Sequence, residues 1–235
     1  MADAWRVGNV SGMEEGAVKL AYLATCFFGS TDDIWMLRDS AIKFGVDLKL
    51  YGLGKAFLPG FIDIKVTAML PELEALLAQG YSHVLYTDGP DTFFVKGPRE
   101  IEAAYAALGH PAWLISAETS CYPHTALGPV LPMDKRCPNT GQYMGEIGVI
   151  LEGWKKLKSL YDDGTDNEQG WVIRGIVDGM LPEVTIDMGR YIFRSEADNY
   201  FPGMSGCVLH FNGGYWNPSE GKRDRMLPVW ERVNG

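Results

Sequence analysis

The 235-residue chain predicts an α/β fold in which a mostly parallel sheet carries helices on both faces. Three observations predict it. Short apolar runs alternate with amphipathic helical patterns through the first half, as βαβ units require. The first run, VKLAYLATCFF (residues 18–28), is apolar at both alternating positions, as a strand buried on both faces must be. A hydrophobic fraction of 46% and a charged fraction of 22% leave enough apolar surface to cover such a sheet without cross-links.

The elements follow in order. GSTDD reads as a loop with a helix cap, in which Ser30 or Thr31 caps and Asp32 and Asp33 suit the first turn. Ile34, Leu37, Ala41 and Phe44 come at helical spacing, and Gly45 supplies a stop. VDLKLYGLG is a second short strand. KVTAMLPELEALLAQG is helical, with Pro71 either kinking it or marking a new start. SHVLYT is a third strand, PREIEAAYAALG a helix and AWLIS a fourth strand. The second half is less regular. Residues 116–142, proline-bearing and without periodicity, read as one long functional loop. GEIGVILEGWKKLKSLY is an amphipathic helix through Ile147, Ile150, Leu151, Trp154 and Leu157. DDGTDNEQGWVIRGIV is an acidic loop entering another helix, and EVTID is a strand. GCVLHFNGG is a short strand that delivers His210 into a Gly-rich turn. No repeat or linker divides the chain, so residues 18–235 read as a single domain behind a loose lead-in at residues 1–17.

With 21 basic and 30 acidic residues the formal charge is −9, and no overall field steers the chain to nucleic acid or anionic lipid. Cys26, Cys121, Cys137 and Cys207 form no C-x-x-C pair, which argues against a zinc ribbon or a thioredoxin-like site. MADAWRVGNVSGMEEG lacks the basic start and apolar core of an export signal. The four cysteines are therefore expected as reduced thiols in a cytoplasmic protein. No apolar run approaches the ~20 residues that span a bilayer, so no membrane partner is expected.

The chemistry concentrates in HVLYTDGPDTFF, residues 83–94. In open α/β sheets ligands sit at the carboxyl ends of strands, and Asp88 stands there. Asp91 follows across a Gly-Pro turn. Two close carboxylates repel unless a cation sits between them. Oxygen donors suit Mg²⁺ or Mn²⁺, and an added histidine tilts the choice toward Mn²⁺. Asp-Gly-Pro-Asp is also good solvent-exposed turn chemistry, so the pair alone leaves both readings open.

Beyond the pair, YTDGPDTFFVKGPREIEAAY followed by WLISAETSCYP resembles the glycosyltransferase domain of the procollagen lysyl hydroxylase/glycosyltransferase enzymes and related stand-alone sugar transferases. The Asp-x-x-Asp, apolar pair, Gly-Pro, Ser-Ala-Glu and Cys-aromatic-Pro of that family recur in order at Asp88 and Asp91, Phe93 and Phe94, Gly97 and Pro98, Ser116 to Glu118, and Cys121 to Pro123. CPNTGQYMG is similar to its Asn-Ser-Gly-Gly segment, DNEQGW to its Asp-Asp-Gln and LHFNGG to its His-x-Asn-Gly. The similarity covers roughly residues 18 to 215.

The resemblance implies a GT-A type, Rossmann-like sheet that binds a nucleotide sugar. It implies a metal, Mn²⁺ or Mg²⁺, on Asp88, Asp91 and His210. It places Ala24 and Thr25 near the base and ribose, and Lys65, Asn139, Gly141, Asn212 and Gly213 around the nucleotide sugar. Tyr122 and Glu118 fall on the acceptor side. The implied reaction moves a hexose from a UDP-linked donor to a hydroxyl of a protein, a glycan or a hydroxymethylated DNA base. Three positions depart from the pattern. Asn167-Glu168 replaces Asp-Asp, so the catalytic carboxylate falls to Glu168 or to Asp166; acids at a helix start equally suit the helix dipole. Tyr122 replaces a tryptophan, and Gln142 a glycine. A non-catalytic sugar-nucleotide-binding module on the same fold is the alternative. A nucleotidyltransferase would need a basic Gly-rich loop that is absent near the first strand. In the tail, Lys222, Arg223 and Arg225 are expected as a solvated face or diphosphate partners, and Trp216 and Trp230 as packing anchors.

Overall fold

The computed structural model describes residues 18–27, 34–53, 64–130, 136–162, 166–212 and 222–234. Its strands are β1 (Leu20–Thr25), β2 (Leu48–Tyr51), β3 (His83–Thr87), β4 (Thr92–Phe94), β5 (Trp113–Glu118), β6 (Cys137–Glu146), β7 (Val184–Ile186), β8 (Phe193–Ser195) and β9 (Val208–His210). Among the described residues they form a six-stranded sheet in the order β2-β1-β3-β6-β5-β7 and a three-stranded sheet β4-β9-β8. β1 runs parallel to β2 and β3, and β5 parallel to β7. β6 runs against both β3 and β5.

The strand β6 lies partly inside what the sequence reads as a loop. Its Pro138, Asn139 and Gly141 are poor strand formers. Pairing on both sides and burial along nearly its whole length override that preference. The helices are α1 (Trp35–Phe44), α2 (Ile64–Ala78), α3 (Pro98–Ala107), α4 (Ile147–Tyr161), α5 (Glu168–Val177) and α6 (Lys222–Asn234). α2 passes through Pro71 as one helix. Gly45 ends α1 in the left-handed conformation, φ 70°, with its N–H on the Ala41 and Ile42 carbonyls. The cap expected at Ser30 or Thr31 lies outside the described residues.

Successive side chains of a strand face opposite ways, and both faces here are covered. Ala21, Leu23, Val84, Tyr86, Trp113 and Ile115 meet α2, α4 and α5 through Val66, Leu73, Ile150, Trp154 and Trp171. Tyr22, Ala24, Leu85 and Leu114 meet α1 and α3 through Leu37, Ala41, Ile101 and Tyr105. The small sheet is backed by α6, whose Met226 and Val229 join Phe93, Leu209 and Phe211. Trp230 packs edge-on against Trp35 and Phe93, the anchoring role expected of it. No helix among the described residues is long and apolar enough to cross a membrane.

Cys121 and Cys137 form a disulfide, which corrects the expectation of four reduced thiols. Cys137 sits opposite Glu118 in the β5–β6 ladder, three residues from Cys121, and the two Cα atoms come within 5.2 Å. That approach depends on the ladder, and a sequence separation of 16 does not reveal it.

Two glycines of α4 test the packing on the α2/α4 face. A Cβ on Gly153 would lie 2.3 Å from Trp113 Cζ3, whereas one on Gly148 meets nothing within 4 Å. Alanine is the better helix former by up to ~1 kcal/mol, but overpacking a core costs about 1–3 kcal/mol. Urea unfolding should show Gly153→Ala lowering stability by roughly 1–2 kcal/mol. Gly148→Ala should raise it by roughly 0.5 kcal/mol.

Candidate active site

β3 ends at Thr87, so Asp88 leaves the sheet at its carboxyl edge. The Gly89-Pro90 turn lies hard against β1. The Gly89 N–H donates to Thr25 Oγ1 at 3.3 Å, and a Cβ on Gly89 would fall 1.9 Å from the Thr25 carbonyl oxygen. Asp91 then enters β4, which pairs with β9 so that Thr92 stands opposite His210; the Phe211 N–H donates to the Asp91 carbonyl at 2.9 Å. This ladder brings His210 to the two acids. Its Nε2 is 3.5 Å from Asp91 Oδ2 and 4.0 Å from Asp88 Oδ2. One ligand atom from each of the three residues lies within 4.8 Å of the others.

Gly141 of β6 closes the back of this group. A Cβ there would come within 2.2 Å of His210 Cε1 and 2.8 Å of Asp88 Oδ2. His210 Nδ1 is buried without a hydrogen-bond partner, a state that a bound ion or ligand commonly explains. Two carboxylate oxygens with an imidazole are a donor set that fits a divalent cation.

From α2, Lys65 Nζ reaches Asp88 Oδ1 at 2.7 Å and Glu168 Oε1 at 3.0 Å. Burial alone would lower this ammonium's pKa; Asp88 and Glu168 outweigh it and hold the lysine charged, above its ordinary range. The Tyr86 hydroxyl donates to Asp88 Oδ1 at 2.6 Å. Burial raises the Asp88 carboxyl; Lys65 opposes the rise and Asp91 adds to it.

Glu118 ends β5 and is 3% exposed. Three amides donate to it: Asn139 to Oε2 at 2.8 Å, Gln169 to Oε1 at 2.7 Å, and Asn212 to Oε2. Burial pushes its carboxyl up to about 7, with the Asn139 and Gln169 donors pulling the other way. The β5–β6 register shifts beside it, from Ile115 opposite Tyr143 to Ser116 opposite Asn139. The intervening Thr140 and Gly141 line the cavity.

That cavity measures about 430 Å³. Asp88, Asp91, His210, Lys65 and Glu168 line it together with Glu118, Asn139, Gly141 and Asn212. Tyr122 and Asn167 border it too. Other residues expected from the sequence are placed elsewhere. Ala24 and Thr25 are buried in β1, and Thr25 braces the turn rather than the cavity. Asp166 is 5% exposed and is not among the lining residues; its carboxylate meets His124 and Arg174 and accepts the Asn167 N–H. Asn167 Oδ1 accepts the Gly170 N–H at 2.8 Å and so caps α5. Arg225 pairs with Asp198. Gly213, Trp216 and the side chains of Lys222 and Arg223 lie outside the described residues.

The structure adds two lining residues that the sequence did not single out, Ser120 and Glu196, and brings in Gln169 and Thr140 from the Asp-Asp-Gln-like and Asn-Ser-Gly-Gly-like segments. Gln169 follows the acidic pair and ties Glu118 to the Tyr122 carbonyl. Glu196 has φ 56°, accepts from Thr119 and Arg190, and donates its N–H to Asn212 Oδ1 at 2.8 Å. No local pattern in RSEADN marks it. A wider cavity of about 720 Å³ beside α4, lined by Lys155, Lys156, Met180 and Glu183 among others, gathers no comparable donor set.

Fold and family together make this chain a glycosyltransferase of the GT-A type. It belongs to the PLOD GT domain family, whose model matches residues 16–171. His210 lies beyond that match and reaches the site through the β4–β9 ladder. The fold is similar to that of a glycosyltransferase involved in the glycosylation of the major capsid of PBCV-1. The TM-score is 0.58 at 12% identity, over 90% of this chain and 98% of that one. No curated protein matches.

Two substitutions test the site. Gly141→Ala should leave the fold intact, displace His210 and weaken Mn²⁺ binding about tenfold or more by calorimetric titration. The Glu118 carboxyl lies above its ordinary 4.5, so between pH 4.5 and 7 the folded chain keeps a proton that the unfolded chain has lost. Stability therefore falls as pH rises through that window, by roughly 2–3 kcal/mol. Glu118→Gln should remove that part of the slope in urea unfolding at pH 5 and pH 8.

Proposed function

We propose that the chain moves a hexose from a UDP-linked sugar to an acceptor hydroxyl, with Asp88, Asp91 and His210 holding Mn²⁺ or Mg²⁺. The reading rests on the convergence of those three ligand groups at the carboxyl edge of the sheet, where such folds bind nucleotides. A divalent ion at this place supplies Lewis-acid stabilisation of a departing diphosphate. Lys65 stands beside Asp88 with a charged ammonium that can turn to the diphosphate. Asn139, Gly141 and Asn212 lie around the sugar, and Glu168 offers a carboxylate to an electron-poor anomeric carbon. Glu118, with its carboxyl near 7, accepts a hydrogen bond from the acceptor hydroxyl and can hold its proton. Tyr122, 61% exposed at the border, offers a ring face to the acceptor.

The lining also bears on the acceptor. Asp88, Asp91, Glu118, Glu168 and Glu196 face the cavity, and Lys65 is the one lysine or arginine among the lining residues. A DNA acceptor needs Lys and Arg for its phosphates. A hydroxyl on a protein or glycan therefore suits this cavity better than a hydroxymethylated DNA base.

UDP release from a panel of UDP-sugars, with Mn²⁺ and with chelator, tests the reading. Release should require the metal and fall roughly 100-fold or more in Asp91→Ala, and a protein or glycan acceptor should accelerate it. No release from any UDP-sugar by folded protein would leave the non-catalytic binding module, which the helix-capping role of Asn167 favours.

A further inference from the structure

The Cys121–Cys137 disulfide stands beside the acceptor side of the cavity. Cys121 follows Glu118 by three residues, and Cys137 pairs with Glu118 in the β5–β6 ladder and precedes Asn139 by two. The bridge thus ties the chain leaving Glu118 to the chain that brings Asn139 to it. Both cysteines are buried, 5% and 3% exposed, in a small cluster with Ile173 of α5, flanked by Leu127 and Ile176.

The segment next to Cys121 carries cavity contacts on both sides of the bridge. Ser120 and Tyr122 line the cavity. The Tyr122 carbonyl accepts from Gln169 at 2.6 Å, and His124 Nε2 meets Asp166. Both partners lie at the start of α5, next to Glu168. Apart from the bridge, the contacts of residues 120–124 among the described residues include these two polar contacts, the Leu127 N–H on the His124 carbonyl and a cluster with one buried isoleucine. Hydrogen bonds like these each contribute only modestly to net stability. A cross-link acts differently, by removing open loop conformations.

We propose that the Cys121–Cys137 disulfide is a redox-controlled positioning element for the acceptor side, fixing residues 120–124 when oxidised and releasing them when reduced. It rests on the reading above that this side receives the acceptor. The step is a thiol–disulfide exchange with a dithiol. The dithiol's two sulfurs bond to each other and give up two protons and two electrons. The Cys121–Cys137 bond breaks, and each sulfur takes one proton and one electron. Asp88, Asp91, His210 and Lys65 lie on other elements, and Asn139 and Gly141 of β6 stay held by the pairing of Asn139 with Ser116 and by the Asp88 N–H on the Gly141 carbonyl, so metal and donor binding stay as they are.

Three readouts on the full chain test this. Alkylation after denaturation without reductant should label two cysteines, Cys26 and Cys207, and all four after dithiothreitol; four labelled cysteines in the air-oxidised protein would overturn the proposal. Hydrogen exchange in peptides covering residues 119–127 should speed up about tenfold or more on reduction, while β3 and β4 stay protected; unchanged exchange at 119–127 would also overturn it. Reduction should raise the acceptor KM about tenfold and leave acceptor-free UDP release within twofold. The double variant Cys121→Ser/Cys137→Ser should match the reduced enzyme and ignore dithiothreitol; an acceptor KM equal in all forms would count against the proposal. Should no UDP-sugar react at all, the proposed activity fails, and alkylation and exchange still decide whether the bridge holds this segment.

Discussion

Five carboxylates converge on one cavity of about 430 Å³ beside a single lining lysine, and their mutual repulsion governs how the surrounding structure is built. Two like charges 4 Å apart repel by about 4 kcal/mol at the effective dielectric of a partly buried site. Each acid is held by a different device. Lys65 bridges Asp88 and Glu168. An amide cage from β6, α5 and the residues after β9 receives Glu118. Arg190 takes Glu196. Asp91 shares His210 with Asp88 across the β4–β9 ladder. The sheet edge, the tight Gly89 turn and the register shift in β6 make these approaches possible.

Asp88, Asp91, His210 and Lys65 form one set of contacts, and Glu118, its amides and Glu196 form another. Asn212 links them, two residues beyond His210 and bonded to Glu118, and Glu168 touches Lys65 and Thr140. On the proposed reading the first set takes a cation and then a diphosphate, and the second receives a neutral or cationic hydroxyl-bearing molecule. Asn167, in the place of an acid, is spent on the α5 cap, so on the proposed reading the carboxylate chemistry falls to Glu168 and Glu118.

Much of the fold was legible because its signals are local. β1 and β3 carry unbroken apolar runs, Leu20–Ala24 and Val84–Tyr86, since helices cover both faces, and Gly45 ends α1 by its own φ. The Asp88–Asp91 spacing and the short apolar run before His210 were legible for the same reason. What escaped depends on neighbours far along the chain. β6 is polar in sequence and became a strand through partners on both sides. The disulfide follows from that ladder. Asp166 and Glu168 look interchangeable at a helix start, yet His124 and Arg174 claim the first and Lys65 the second. Glu196 reaches the cavity through a left-handed residue that no spacing announces.

On the proposed reading, Asp88, Asp91 and His210 form one metal site that serves a nucleotide. Electron paramagnetic resonance during Mn²⁺ titration, with and without UDP, tests it most directly. One saturable Mn²⁺ per chain is expected, bound more tightly with UDP and lost in His210→Ala while the unfolding midpoint stays close to native. No saturable binding in the presence of UDP, or binding that survives His210→Ala unchanged, would contradict it.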